Sequence, residues 1–97
     1  MYTIEKTKVF DKWLRSIKSI QYRARIIKRF DMIELGNFGD YKSIGNNLFE
    51  LRFFFGSGYR VYYTIRENKV VFLLSGGDKS TQKKDIINAN KIMNNLE

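Results

Sequence analysis

This chain of 97 residues contains no cysteine and no histidine. Those two absences remove the usual zinc sites, the Ser-His and Cys-His nucleophile pairs, and the two-histidine route to RNA cleavage. A disulfide framework is excluded as well, and the expected location is the cytoplasm. No apolar run approaches the roughly 20 residues of a membrane helix, and the opening MYTIEKTKVF lacks the apolar centre of a secretory signal. The short glycine stretches GSG and SGG lack the GK[ST] ending of a phosphate-binding P-loop. No carboxylates are paired at a spacing that suggests metal-assisted hydrolysis, so neither a metal nor a cofactor is expected. Any acid–base chemistry falls to Tyr, Lys, Glu or Asp.

What remains is the composition of one globular domain, 1–97, with 43% hydrophobic and 29% charged residues. The formal net charge is +8, and it is uneven. Residues 1–30 hold nine Lys/Arg against two acids, while the other 67 hold nine against eight. Concentrated positive charge favours a polyanionic partner, here nucleic acid or the ribosome, through counterion release and steering. Basic residues that merely solvate helix faces are the alternative. The candidates for backbone contact on the early helices are Arg23, Arg25 and Lys28.

Along the chain, Tyr2 to Glu5 alternates like an edge strand. From Thr7 the period becomes helical: Val9, Phe10, Trp13, Leu14 and Ile17 form one stripe, with Thr7 as N-cap. After a break near Ser19, Tyr22, Ile26, Phe30 and Ile33 form a second stripe, stopped at Gly36-Asn37. The short connection predicts an antiparallel helical hairpin lying on a sheet, with Trp13 in the core rather than serving as a base platform. NFGDYKSIGNN, residues 37–47, reads as loop, with Lys42 either simply exposed or in contact with a phosphate.

The stretch from Leu48 to Gln82 alternates with period two and predicts a three-stranded meander. Phe49, Leu51, Phe53 and Phe55 share one face of its first strand; Glu50 and Arg52 share the other. If Phe55 pairs with Tyr59 across Gly56-Ser57-Gly58, Arg52 lies opposite Tyr62 and diagonal to Arg60. A turn at Glu67-Asn68 would set Tyr62 against Leu73 and Arg60 against Ser75. The expected picture is an apolar wall on one side and an open face bearing Glu50, Arg52, Arg60 and Tyr62 on the other. In SGGDKSTQ, paired glycines would let the backbone approach a ligand. Asp78, Ser80 or Thr81 would cap the last helix, and Lys79 would project beside Arg60. This segment is either the rim of a site or only a strand-to-helix connection. The last helix carries Ile86, Ala89, Met93 and Leu96 on one side.

FDKWL, GNFGDYKSIG, LFELRF, GSGYRVYY and LLSGGDKSTQKKDI, in that order, resemble the HigB-like branch of the RelE/ParE toxin superfamily. These are the "addiction module killer" toxins of bacterial type II toxin–antitoxin pairs, also carried by phages. The resemblance runs from about Phe10 to Ala89. It implies an α+β fold, β-α-α-β-β-β with a C-terminal helix, and a cognate antitoxin, a small helix-turn-helix protein that wraps the sheet or displaces the last helix. RelE-type members cleave mRNA in the A site of the 70S ribosome. The arginine of their GYR motif, which contacts the scissile phosphate, corresponds to Arg60. The cation after the last strand corresponds to Lys79. The two lysines of the first meander strand are replaced by Leu48 and Glu50, and the C-terminal tyrosine falls near Asp85.

The first expectation is therefore an endoribonuclease in which Arg60, Arg52 and Lys79 steady the phosphate, and Tyr62 or Glu50 handles a proton. Glu50 has a second reading, as a partner that orients Arg52, and Tyr62 has one as sheet-surface packing. A ParE-type, non-enzymatic inhibitor of DNA gyrase and a basic RNA-binding module without catalysis are the alternatives. Fold alone does not separate the three.

Overall fold

The computed structural model describes residues 1–96. The order is β1 (Thr3–Lys6), α1 (Lys8–Ser16), α2 (Ile20–Glu34), β2 (Tyr41–Gly45), β3 (Leu48–Arg52), β4 (Arg60–Arg66), β5 (Val70–Gly77) and α3 (Gln82–Asn94). A single turn of 3-10 helix, Lys79–Thr81, leads into α3. The five strands lie in the order β1-β5-β4-β3-β2, with β1 parallel to β5 and the rest antiparallel.

Local chemistry starts the helices where the periodicity changes. The Thr7 hydroxyl oxygen accepts from the Phe10 amide at 3.0 Å, and Ser19 accepts from the Tyr22 amide at 3.1 Å. Thr7 also donates to the Leu74 carbonyl, tying the start of α1 to the central sheet. Gly36, at φ +93°, ends α2 in the left-handed conformation that glycine adopts most readily. The stripes then bury together: Phe10, Ile17, Ile26, Phe30 and Ile33 pack on Leu51, Phe53, Val61, Tyr63, Val71 and Leu73. Trp13 joins this cluster, as its stripe predicts.

Three expectations need correction. Residues 37–47 are not all loop, because Tyr41–Gly45 forms β2 against β3. The short YKSI run was masked by its Gly and Asn neighbours, which serve a tight turn: Gly45, Asn46 and Asn47 all have positive φ. The β3–β4 register is offset by two residues, and the β4–β5 register by one from Tyr63 to Arg66 and by two from Arg60 to Tyr62. Phe53 rather than Phe55 meets Tyr59, so Arg52 pairs directly with Arg60 and Glu50 with Tyr62. Tyr62 then pairs with Ser75 and Arg60 with Gly77, because the β4–β5 ladder shifts between Tyr62 and Tyr63. The even β3–β4 offset keeps the side chains of that pair on their expected faces, so the alternation alone could not reveal it. The odd step in β4–β5 puts Leu73, expected opposite Tyr62, opposite Tyr63 and on the α1/α2 side instead.

The third correction concerns the open face. The side of the sheet away from α1 and α2 is covered by α3, whose Ile86, Ala89, Met93 and Leu96 pack on Leu48, Tyr62 and Leu74. Glu50 is 1% exposed and Tyr62 fully buried. The architecture is three layers, with the sheet between α1/α2 and α3.

Candidate phosphate-binding cleft

Where α3 stops covering β3 and β4, a cleft of about 270 Å³ opens, lined by Arg52, Phe53, Phe54, Gly56, Gly58, Arg60 and Lys79. Each cation reaches it from a different element. Arg52 is the last residue of β3 and Arg60 the first of β4, directly across the ladder. Lys79 follows β5 in the turn fixed by Asp78, whose carboxylate accepts from the Ser80 amide at 2.9 Å. Gly58, at φ +76°, lies between two of them. A Cβ there would stand 3.5 Å from Lys79 Cβ and 3.7 Å from an Arg60 guanidinium nitrogen.

The two guanidiniums are held differently. Arg52 Nη2 donates to Asp40 Oδ1 at 2.9 Å, and this bond raises its pKa further. The Arg52 amide also donates to the Asp40 carbonyl at 3.0 Å. Asp40 thus extends the β2–β3 pairing by one position, which brings its carboxylate to Arg52. Arg60 Nη1 donates to the Gly58 carbonyl at 2.9 Å, while its Nε lies 3.8 Å from Glu50 Oε2. Glu50 therefore pairs with Arg60, not with Arg52 as expected, because the observed register sets them diagonally on one face. From α3, Gln82 Nε2 donates to the same carboxylate at 3.1 Å.

Residues 12–97 match the family described as phage-derived Gp49-like proteins (DUF891). The chain belongs to this RelE/HigB-like toxin family. An uncharacterized protein of Haemophilus influenzae (strain Rd) is 45% identical over 93 residues, spanning 96% of this chain and 94% of its own length. Among solved structures, a mutant of the E. coli toxin RelE in the free state shares the fold with a TM-score of 0.72 at 22% identity, over 93% of this chain and 95% of that one. The intact E. coli RelBE toxin–antitoxin complex contains a chain matching with a TM-score of 0.66 at 22% identity, over 80% and 96% respectively.

In this Gp49-like chain the other candidates are dispersed. Tyr62 lies beneath α3, its hydroxyl buried without a hydrogen-bond partner among the described residues. Burial pushes its phenol pKa up, and the nearby Glu50 and Asp85 carboxylates push it further, so it stays protonated through the neutral range. Neither Tyr62 nor Glu50 reaches solvent in this arrangement, contrary to the open-face expectation. Lys42 is exposed on β2 opposite Glu50 and does not line the cleft. Arg23, Arg25 and Lys28 belong to α2, on the other side of the sheet. Arg23 donates to the Ile17 carbonyl at the end of α1, and Arg25 lies 4.1 Å above the Phe55 ring. Lys28 is exposed.

Gly76 and Gly77 make close approaches, but to the protein itself. A methyl on Gly76 would overlap the Trp13 ring, and one on Gly77 would overlap the Asp85 carboxylate. They let α1 seat on one face of β5 and α3 on the other.

Two residues of the site escaped the sequence reading. Asp40 lies in the Gly- and Asn-rich run 37–47, which reads as loop. Arg29 stands on α2 beside the basic residues Arg25 and Lys28, yet its guanidinium turns inward. Nη2 donates to the Arg52 carbonyl at 2.9 Å, and Nη1 donates to the carbonyls of Phe38 and Asp40 at 3.2 and 3.3 Å. The group also covers the Phe53 ring at 4.5 Å, and burial lowers its pKa. Only a three-dimensional neighbour distinguishes it from Lys28.

Proposed function

We propose that this chain is the toxin of a type II toxin–antitoxin pair and acts as an endoribonuclease on mRNA held by the ribosome. The observation that carries the reading is the convergence of Arg52, Arg60 and Lys79 on one open cleft in a Gp49-like fold. In this reaction the ribose 2′-oxygen attacks the adjacent phosphate, the bond to the departing 5′-oxygen breaks, and the products are a cyclic phosphate and a 5′-hydroxyl. Negative charge crowds the phosphorus in the transition state. Two anchored guanidiniums and the Lys79 ammonium stabilise that charge more than the single charge of the ground state, which is the differential effect catalysis requires.

Positions are set by the flanking groups. Asp40 and Glu50 orient the two guanidiniums without filling the cleft. Buried and with its pKa raised, the Tyr62 phenol stays protonated but is a weaker acid than a free tyrosine, so it is poorly suited to proton transfer. The partner is a cognate antitoxin, supported by the toxin–antitoxin complex among the structural relatives. The decisive experiment is Arg60→Ala under inducible expression, with mRNA ends mapped by primer extension. Cleavage should fall by about a hundredfold or more; unchanged growth arrest and cleavage would remove the phosphate clamp.

One observation favours a second reading, a ParE-type block of DNA gyrase: the two proton-transfer candidates, Glu50 and Tyr62, are both buried under α3. Inhibited supercoiling with intact mRNA would select it.

A further inference from the structure

The run Phe53-Phe54-Phe55 contributes three rings to the end of the β3–β4 hairpin, and they have opposite fates. Phe53 is 4% exposed, covered by the Arg29 guanidinium and packed edge-on against Phe55 at 5.7 Å. Phe55 is tilted against Tyr22 at 5.1 Å and capped by Arg25. Phe54 is 83% exposed, more than any other large hydrophobic residue except the terminal Met1. Period-two alternation explains the direction: Phe54 continues the face of Glu50 and Arg52, past the point where α3 covers it.

An isolated exposed phenylalanine needs no explanation. This one lines the cleft that holds Arg52, Arg60 and Lys79. Its backbone is also set in advance. The Phe53 amide donates to the Tyr59 carbonyl at 3.0 Å, and the Gly58 amide donates to the Phe55 carbonyl at 3.1 Å. Gly56, at φ +60°, allows the loop to close over Tyr59, where a methyl would strike the ring. Packed neighbours on both sides, Phe53 buried and Phe55 half-buried, therefore hold the backbone that presents the Phe54 ring at the rim.

A flat apolar surface beside clustered cations matches a ligand that alternates charged phosphates with flat rings. That is single-stranded nucleic acid, whose bases stack on aromatic side chains while basic groups hold the backbone. We infer that Phe54 is a nucleobase platform, stacking on a base next to the phosphate held by Arg52, Arg60 and Lys79. The inference rests on reading the cleft as a phosphate site, and it adds a contact to the base. Because every base has a π-face, the platform favours stacking strength, purines before pyrimidines, rather than one sequence.

The test titrates the purified full-length chain with a non-cleavable 2′-O-methyl oligoadenylate hexamer, and with an abasic hexamer carrying the same phosphates. The wild type should bind the oligoadenylate about tenfold more tightly than the abasic strand. Phe54→Ala should bring the two to the same affinity without weakening the abasic complex, and Phe54→Trp should restore the preference. Arg60→Ala should weaken both strands equally and keep the preference, which separates the phosphate clamp from the platform. Equal binding of the two strands by the wild type, no binding of either, or an equal loss on both in Phe54→Ala would each overturn the platform. So would a Phe54→Ala protein that keeps the preference but no longer binds a cognate antitoxin, since the ring would then serve a protein partner. Base-dependent binding with uncut mRNA in cells would keep the platform and reject the nuclease.

Discussion

Replacing Arg29 with alanine probes how the cleft is built without touching a group that lines it. The guanidinium donates to the carbonyls of Phe38, Asp40 and Arg52, joining α2, the segment before β2 and the end of β3. It also covers Phe53. A hydrogen bond from a charged donor contributes about 1.5–3 kcal/mol net, and the half-buried site lets water recover part of three such losses. A net cost of about 2–4 kcal/mol follows, or a fall in Tm of roughly 10–20 °C for a domain of this size. Arg29→Lys should recover only part, because an ammonium lacks the planar fork that reaches three acceptors on different segments. Lys28→Ala, one residue away and exposed, should change stability by no more than about 0.5 kcal/mol. Urea denaturation of the three variants is the assay, followed by RNA cleavage well below each midpoint. There Arg29→Ala should also cut activity, since the backbone carbonyls of Asp40 and Arg52 lose the donor that ties the ion pair between their side chains to α2. If Arg29→Ala proves no more destabilising than Lys28→Ala, the guanidinium does not hold the carbonyls of Phe38, Asp40 and Arg52 together.

Gly76→Ala should destabilise the fold by about 1–3 kcal/mol in thermal melts, because the new methyl meets the broad Trp13 ring; Gly77→Ala should cost less, since an Asp85 carboxylate can rotate away. Tyr62→Phe removes a buried hydroxyl that has no partner among the described residues, so stability should hold or rise by up to about 1 kcal/mol. A loss larger than that in urea titration would show that the hydroxyl is bonded. Asp78→Ala should cost about 1 kcal/mol at neutral pH through the lost cap. The Asp78 carboxyl is held below the usual range by its bond from Ser80. Its contribution is therefore complete above the unfolded value of about 3.9 and fades as pH falls through the lower, folded one. Melts at pH 7 and pH 2.5 should show the difference between wild type and variant closing in acid.

Much of the architecture was legible because it is local. Thr7 and Ser19 cap helices through their own side chains, the stripes on α1 and α2 declare a buried face, and alternation sorts the residues of each meander strand into two faces. Register was not legible, because the β3–β4 offset of two preserves that pattern and the β4–β5 bulge, which decides the side Leu73 takes, leaves no mark in it. The strand Tyr41–Gly45 was hidden by the turn residues that follow it.

The site divides in the same way. Which residue types were available was settled by the sequence alone: with no histidine, the only cationic side chains that could face a phosphate are arginine and lysine, and the candidates Arg52, Arg60 and Lys79 were already visible in it. Their assembly was decided by tertiary structure, since it depends on which backbone lies opposite which. Direct pairing of Arg52 with Arg60 depends on the hairpin register, and the turn of Lys79 toward Gly58, the inward reach of Arg29 and the burial of Glu50 and Tyr62 under α3 arise between segments far apart in the chain. A linear pattern records the face a residue occupies; what stands across from it, and what lies on top of it, is set by packing.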